Sequence, residues 1–159
     1  YKSLEDSDIE DYIHHSVSIK NAVVKEDPHE LNLRKILNFG HTLGHAIETN
    51  FLKNPKKTTL LHGEAIAVGM ITEAYLATKL CGLDLSVAED IKKVFLRIFP
   101  KLNFTKEDLV SIMDLLRYDK KNSHGKVKFV LLHALGQPAI DIEVPSQNLI
   151  DAFEFYRRN

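Results

Sequence analysis

The stretch HGEAIAVGMITEAYLATKL, from His62 to about Leu80, constrains this chain more than any other. It is apolar nearly all the way round a helical wheel, so a helix built from it has no wet face and belongs buried at the centre of the domain. Gly82 supplies its C-terminal stop. Other helices are expected around this centre. SDIEDYIHHSVSIKNAVVKED places Ile9, Tyr12, Ile13, Val17, Ile19, Val23 and Val24 at a helical period, with Ser7 or Asp8 capping its start and Asp27-Pro28 ending it. A second helix is expected from about Glu30 to Leu52, followed by the solvated loop KNPKKTT. SVAEDIKKVFLRIF, capped by Ser86, and TKEDLVSIMDLLRY, opened by a reciprocal Thr105 and Asp108 cap, form two more, with Pro100 between them. KVKFVLLHALGQPAIDIEV abandons the helical period for β-branched residues around a Gly136 to Pro138 turn, a short hairpin, and SQNLIDAFEFYRR closes as a helix. The fold class is mainly α: a multi-helical domain with one small β-hairpin.

With 159 residues, 44% of them hydrophobic, residues 1–159 are sized for a single domain. Charge is balanced, 21 Lys and Arg against 22 Asp and Glu, which supplies none of the basic field that nucleic-acid binding needs. The longest apolar run, AIAVGMI at 65–71, is far short of the roughly 20 residues of a bilayer span, and YKSLEDSDIE has no signal-peptide character. A soluble, cytoplasmic protein with no membrane partner is expected. Cys81 stands alone, cannot form an internal disulfide and takes no role. Because the chain opens on Tyr1 with no tag or linker, it is expected to be part of a longer polypeptide.

The segment LNFGHTLGHAIE, residues 37–48, puts two glycines and two histidines inside the expected second helix. At about 100° per residue, Glu30, Asn38, His41, His45 and Glu48 all fall within roughly 40° of Arg34, one narrow polar stripe. Ile36, Phe39, Leu43, Ala46 and Ile47 gather on the opposite, core-facing side. Gly40 and Gly44 lie between the faces, where a missing side chain lets another backbone or a ligand come close. A polar stripe is ordinarily a solvated face, and that reading stays open. Such faces are usually written in Lys, Glu, Gln and Ala, however, whereas this one combines anion-binding, hydrogen-bonding and metal-ligating groups. HTLGH lacks the glutamate of a metalloprotease HExxH. A di-iron ExxH match at Glu26 to His29 is broken by Pro28. His62, at a helix start, stands beside the stripe if the second and third helices pack antiparallel; the alternative is a capping or merely exposed histidine. His14, His15, His29, His124 and His133 have ordinary explanations.

These residues resemble the C-terminal helical domain of the 3-dehydroquinate synthase family, NAD- and zinc-dependent enzymes of the shikimate pathway and members of the sugar-phosphate cyclase superfamily. IKNAVVKEDPHELNLRKILNFGHTLGHAIE is similar to the family's first signature, LLHGEAIAVGM to its second and YDKKNSHGKVKFVLLHALG to its third, in the family's order from about residue 16 to 136. Pro28 departs from a frequent Glu, in a turn where it is expected to be harmless. The resemblance implies that His41 and His62 are zinc ligands (Co2+ or another divalent cation being the alternative), with a third ligand, a glutamate, upstream of this chain. It implies that Lys20 and Arg34 hold a substrate carboxylate, that Asn38 contacts hydroxyl and phosphate groups, and that Lys120 or Lys121 binds phosphate. Glu30 matches an active-site acid, and His45 a catalytic residue on the phosphate side. Glu30, Glu48 and Glu64 are the chain's own carboxylates that stand to replace the missing ligand.

The implied reaction converts 3-deoxy-arabino-heptulosonate 7-phosphate to 3-dehydroquinate and phosphate. It proceeds by oxidation, phosphate elimination, reduction by the same NADH, ring opening and aldol closure. No glycine falls in a GxGxxG loop, and no alternation of strands and helices marks a dinucleotide fold. The resemblance therefore implies that NAD is bound mainly by an N-terminal domain absent from this chain, that the whole enzyme is a homodimer, and that these residues alone fold without turning over. Another sugar-phosphate cyclase, or a noncatalytic helical interaction module, is the alternative.

Overall fold

The computed structural model describes residues 6–55, 57–122 and 127–158, the side chains of 6, 7 and 119–122 excepted. Six helices are described: α1 (Asp6–Glu26), α2 (His41–Lys53), α3 (His62–Leu80), α4 (Leu85–Ile98), α5 (Lys106–Asn122) and α6 (Ser146–Arg157). A 3-10 helix, Leu33–Asn38, precedes α2, and strands β1 (Lys128–Ala134) and β2 (Gln137–Glu143) pair antiparallel before α6. The fold is mainly helical with one small hairpin, as the sequence predicts. No helix among the described residues is long and apolar enough to cross a membrane. The chain divides into two compact units, Tyr1–Leu37 and Asn38–Asn159.

In the first unit, α1 already includes Ser7 and Asp8, the expected caps, and it stops at Glu26 before Asp27-Pro28. The Asp27 carboxylate then organises the following loop by accepting the backbone N–H groups of Leu31, Asn32 and Arg34 at 2.8–3.0 Å. The N–H groups of Asn32 and Arg34, helped by Leu31, hold the Asp27 carboxyl below its ordinary range.

The continuous second helix expected from Glu30 to Leu52 is not formed. Glu30 itself is left-handed at φ 55°, residues 33–38 make the tighter 3-10 helix, and Gly40 turns left-handed at φ 81° before α2 begins. A 3-10 helix advances about 120° per residue rather than about 100°, and a left-handed residue resets the direction. The single helical face on which the stripe depends therefore does not form: Glu30, Arg34 and Asn38 precede α2 in the chain, and His41, His45 and Glu48 lie on it.

In the second unit α3 is the centre. Ala65, Val68, Ile71, Ala74, Leu76 and Ala77 are buried, and α2, α4, α6 and β1 pack against it. Burial on several sides is what its uniformly apolar surface requires. Residues of α2 descend along α3 in reverse order, Gly40 beside Met70, Gly44 beside Ile66 and Glu48 beside His62, so the two helices are antiparallel. They approach closely because Gly69 has no side chain; a Cβ there would overlap the Gly40 carbonyl.

Helix α4 is capped by Asp84, whose carboxylate accepts the Ser86 N–H at 2.8 Å, rather than by Ser86 as expected. At α5 the expected reciprocal cap is present: Thr105 N–H donates to Asp108, and Asp108 N–H to the Thr105 hydroxyl. The hairpin turns at Leu135 and Gly136, with Pro138 already inside β2. The loop after α2 is not simply solvated. Lys57 lies 2.6 Å from Asp108, which also accepts from Asn50 on α2, and its ammonium sits over the Phe51 ring. Burial pushes Asp108 upward, but the bonds from Lys57, Thr105 and Asn50 outweigh it and leave the carboxyl below its ordinary range.

Candidate functional site

Two helix starts carry the central histidines: His41 is the first residue of α2 and His62 the first of α3. Antiparallel packing brings the rings together with His45, one turn along α2. Ring centroids are 5.4 Å apart for His41–His45, 5.6 Å for His45–His62 and 5.9 Å for His41–His62.

Two rings are oriented by groups that only accept. His41 Nδ1 lies 3.1 Å from the Phe39 carbonyl, and His62 Nδ1 lies 3.1 Å from the Glu48 carboxylate. Each Nδ1 therefore donates, and Nε2 is the nitrogen left outside these bonds. A histidine fixed this way by a carbonyl or carboxylate is the arrangement that commonly supports a metal ligand. His45 differs. Burial first, and then the positive charge of His41 and His62, push it below the ordinary histidine value against the pull of Glu48.

Glu48 thus supports His62. Glu64, another potential stand-in ligand, reaches back to accept the Leu61 N–H at 2.9 Å and caps the start of α3. Among the described residues no group of three or more His, Cys, Asp or Glu has the arrangement to hold a metal ion. The fit to a divalent cation is that of a partial set, two imidazoles with oriented Nε2 atoms and no third ligand.

The other expected site residues divide by unit. In the first, Lys20 is exposed on α1, and Arg34 donates to the Pro28 carbonyl at 3.0 Å with Nε 3.8 Å from Glu30. Pro28 therefore fills its turn and offers Arg34 an acceptor. In the second, Asn38 is half-buried at the end of the 3-10 helix. Lys120 and Lys121 lie in the last turn of α5, their side chains outside the described residues; His124 lies outside them altogether.

One participant escaped the sequence reading. Glu73, fully buried on α3, accepts the backbone N–H of Gly40 at 2.6 Å and of Leu43 at 3.1 Å, bracketing His41. Its signal was a lone carboxylate in the middle of the apolar run AIAVGMITEAYLA.

Comparison with known proteins places this geometry. The family model described as 3-dehydroquinate synthase C-terminal matches residues 1–122. The 3-dehydroquinate synthase of Parabacteroides distasonis is 38% identical over 145 residues, covering 91% of this chain and 40% of the relative. That of Helicobacter pylori is 36% identical over 153 residues, covering 96% and 43%. Among solved structures, a 2-deoxy-scyllo-inosose synthase complexed with carbaglucose-6-phosphate, NAD+ and Co2+ has a TM-score of 0.73 at 28% identity, over 92% of this chain and 40% of that one. A 2-epi-5-epi-valiolone synthase from Streptomyces hygroscopicus with NAD+ and Zn2+ bound, 20% identical with a TM-score of 0.73 over 96% and 41%, shares the fold. The chain spans about 40% of the length of these curated relatives.

Proposed function

The chain belongs to the 3-dehydroquinate synthase C-terminal family, and from that premise we propose that it is the metal- and substrate-binding part of an enzyme converting 3-deoxy-arabino-heptulosonate 7-phosphate to 3-dehydroquinate and phosphate. The observation that carries the reading is the pair of oriented imidazoles, His41 and His62, with ring centroids 5.9 Å apart and both Nδ1 atoms already engaged.

In this reading His41 and His62 hold a divalent cation, zinc or cobalt, completed by a carboxylate from outside the chain, and residues outside the chain bind NAD. The cation supplies charge that acidifies a substrate hydroxyl, and the nicotinamide supplies a reversible hydride acceptor. The chain's own residues bind and orient. Arg34, tethered to the Pro28 carbonyl, keeps further guanidinium N–H groups for a carboxylate, with Lys20 adding charge. Asn38 serves hydroxyl and phosphate oxygens. Lys120 or Lys121 serves phosphate. His45, its pKa lowered by burial and by His41 and His62, offers a nitrogen that takes up a proton on the phosphate side. Glu30 acts as an acid. The relatives' homologous segments work within chains about two and a half times as long, so these residues by themselves are not expected to turn over.

Calorimetric titration of the full-length gene product with zinc tests the central claim: binding is expected to be lost in His62→Ala, and equal heats in the variant and the parent would remove it. The likeness to 2-deoxy-scyllo-inosose synthase favours a second reading, a cyclase for a sugar phosphate without a carboxylate. Assaying the heptulosonate phosphate beside such a sugar phosphate separates the two.

A further inference from the structure

Helix α2 begins without a cap of its own. The first N–H groups of any helix lack intrahelical acceptors, and a Ser, Thr, Asp or Asn side chain at the preceding position ordinarily serves them. That position here is Gly40, which makes no side-chain bond. It is held to glycine twice over. Its φ is 81°, and a Cβ would press on the Met70 side chain and come within 2.9 Å of the Met70 backbone nitrogen and 3.1 Å of the Ile66 carbonyl oxygen. The close approach to α3 that forbids a local cap also brings α3's own Glu73 within reach. Its Oε2 accepts from Gly40 N–H at 2.6 Å, its Oε1 from Leu43 N–H at 3.1 Å, and Thr42 N–H is a further donor.

We propose that Glu73 is a positioning residue, an N-cap supplied from a neighbouring helix that fixes the axial register of α2 on α3 and with it the separation of His41 from His62. The inference rests on the metal reading of that pair. Glu73 and Gly69 lie one turn apart on α3, and both meet the Gly40 segment. The start of α2 is thereby held by a steric stop and a hydrogen-bonded anchor at one level. A slip of α2 by one residue along α3 moves His41 by about 1.5 Å and about 100°, enough to separate two ligands that must share an ion. An ionised Glu73 accepts through both oxygens, and a protonated one accepts through its carbonyl oxygen and keeps acceptor capacity on its hydroxyl oxygen; a glutamine offers one accepting atom and turns an amide N–H toward the second donor. Glu73→Gln therefore preserves shape and breaks the anchor.

The experiment is zinc titration of the full-length gene product carrying Glu73→Gln, beside Leu149→Ala, a core truncation on α6 that lowers stability away from the α2 start. Zinc affinity is expected to fall about tenfold or more in Glu73→Gln, the scale on which groups supporting a ligand act, and to stay at the parental value in Leu149→Ala. Parental affinity in Glu73→Gln, or the same loss in both variants, would overturn the proposal. Loss of zinc binding in Glu73→Gln with none in His62→Ala would overturn the metal reading and this inference with it. Amide hydrogen exchange on the unaltered protein needs no variant: Thr42 and Leu43 N–H should be as protected as the middle of α2, and free exchange at both would dispose of the anchor.

Discussion

The two helices that present histidines begin in opposite ways. Helix α3 caps itself within one turn, Glu64 reaching back to the Leu61 N–H, and its first residue, His62, is turned by Glu48. Helix α2 has no local cap, and its start is closed by a carboxylate 33 residues further along the chain. A start that closes on itself forms wherever its residues are; a start closed from elsewhere exists only once the two helices have packed. The backbone at the start of α3 is thus set by its own neighbourhood and that at the start of α2 by the tertiary fold, while the rings reverse the pattern, His62 being turned by Glu48 across the helix pair and His41 by the Phe39 carbonyl two residues away.

Four measurements break or sharpen that contrast. Gly69→Ala drives a methyl group into the Gly40 carbonyl, and urea denaturation is expected to show a loss of about 3 kcal/mol or more, the upper end for overpacking. A loss near zero would mean that the helices have room to part. Glu73→Ala leaves buried N–H groups at the α2 start without an acceptor, and about 2–3 kcal/mol is expected to go in the same assay.

The third measurement is a pH series. Burial pushes the Glu73 carboxyl from 4.5 up to about 8, against the pull of the Leu43, Gly40 and Thr42 N–H groups. Between those values the folded protein holds a proton that the unfolded chain releases. The stabilisation is therefore complete below about 4.5 and fades as pH rises towards 8, by at most about 1.4 kcal/mol per pH unit. Stability of the parent minus that of Glu73→Gln should fall across this window; a flat difference would show that Glu73 is ionised throughout. The smallest effect is expected of Glu64→Ala, about 1 kcal/mol for a lost cap, with the Thr42 and Leu43 amides still protected in hydrogen exchange.

What the sequence made legible follows the same division. Helix α3 was readable from its uniform apolarity, and the Thr105 and Asp108 cap was readable because its partners are three residues apart. The meeting of His41 and His62 is conditional in the sequence, which places His62 beside the stripe only if the two helices pack antiparallel, as they do. The break at Gly40 was not, because a helical wheel assumes the geometry it is used to detect, and nothing in LNFGHTLGHAIE distinguishes a tolerated glycine from a left-handed one. Asp84 was passed over for Ser86 as the cap of α4, two neighbours with equal capping propensity. Lys57 was assigned to solvent because its partner, Asp108, is 51 residues away. Glu73 was hidden for the same reason: its meaning lies in backbone groups that no side-chain pattern records.

The glycine contact between α2 and α3 also bears on how the chain tolerates changes of length. Relative placement of the helices is decided where Gly40 meets Gly69 and Glu73, so the connecting segment between α2 and α3, beyond its Lys57 contacts and the buried Leu60, does not set their register. Insertions there that spare Lys57 and Leu60 should be absorbed as slack. A single residue added between Gly63 and Thr72 would swing Glu73 about a quarter-turn away from the Gly40 amide relative to His62, so drift in chain length between relatives should collect in the connector and spare the helix.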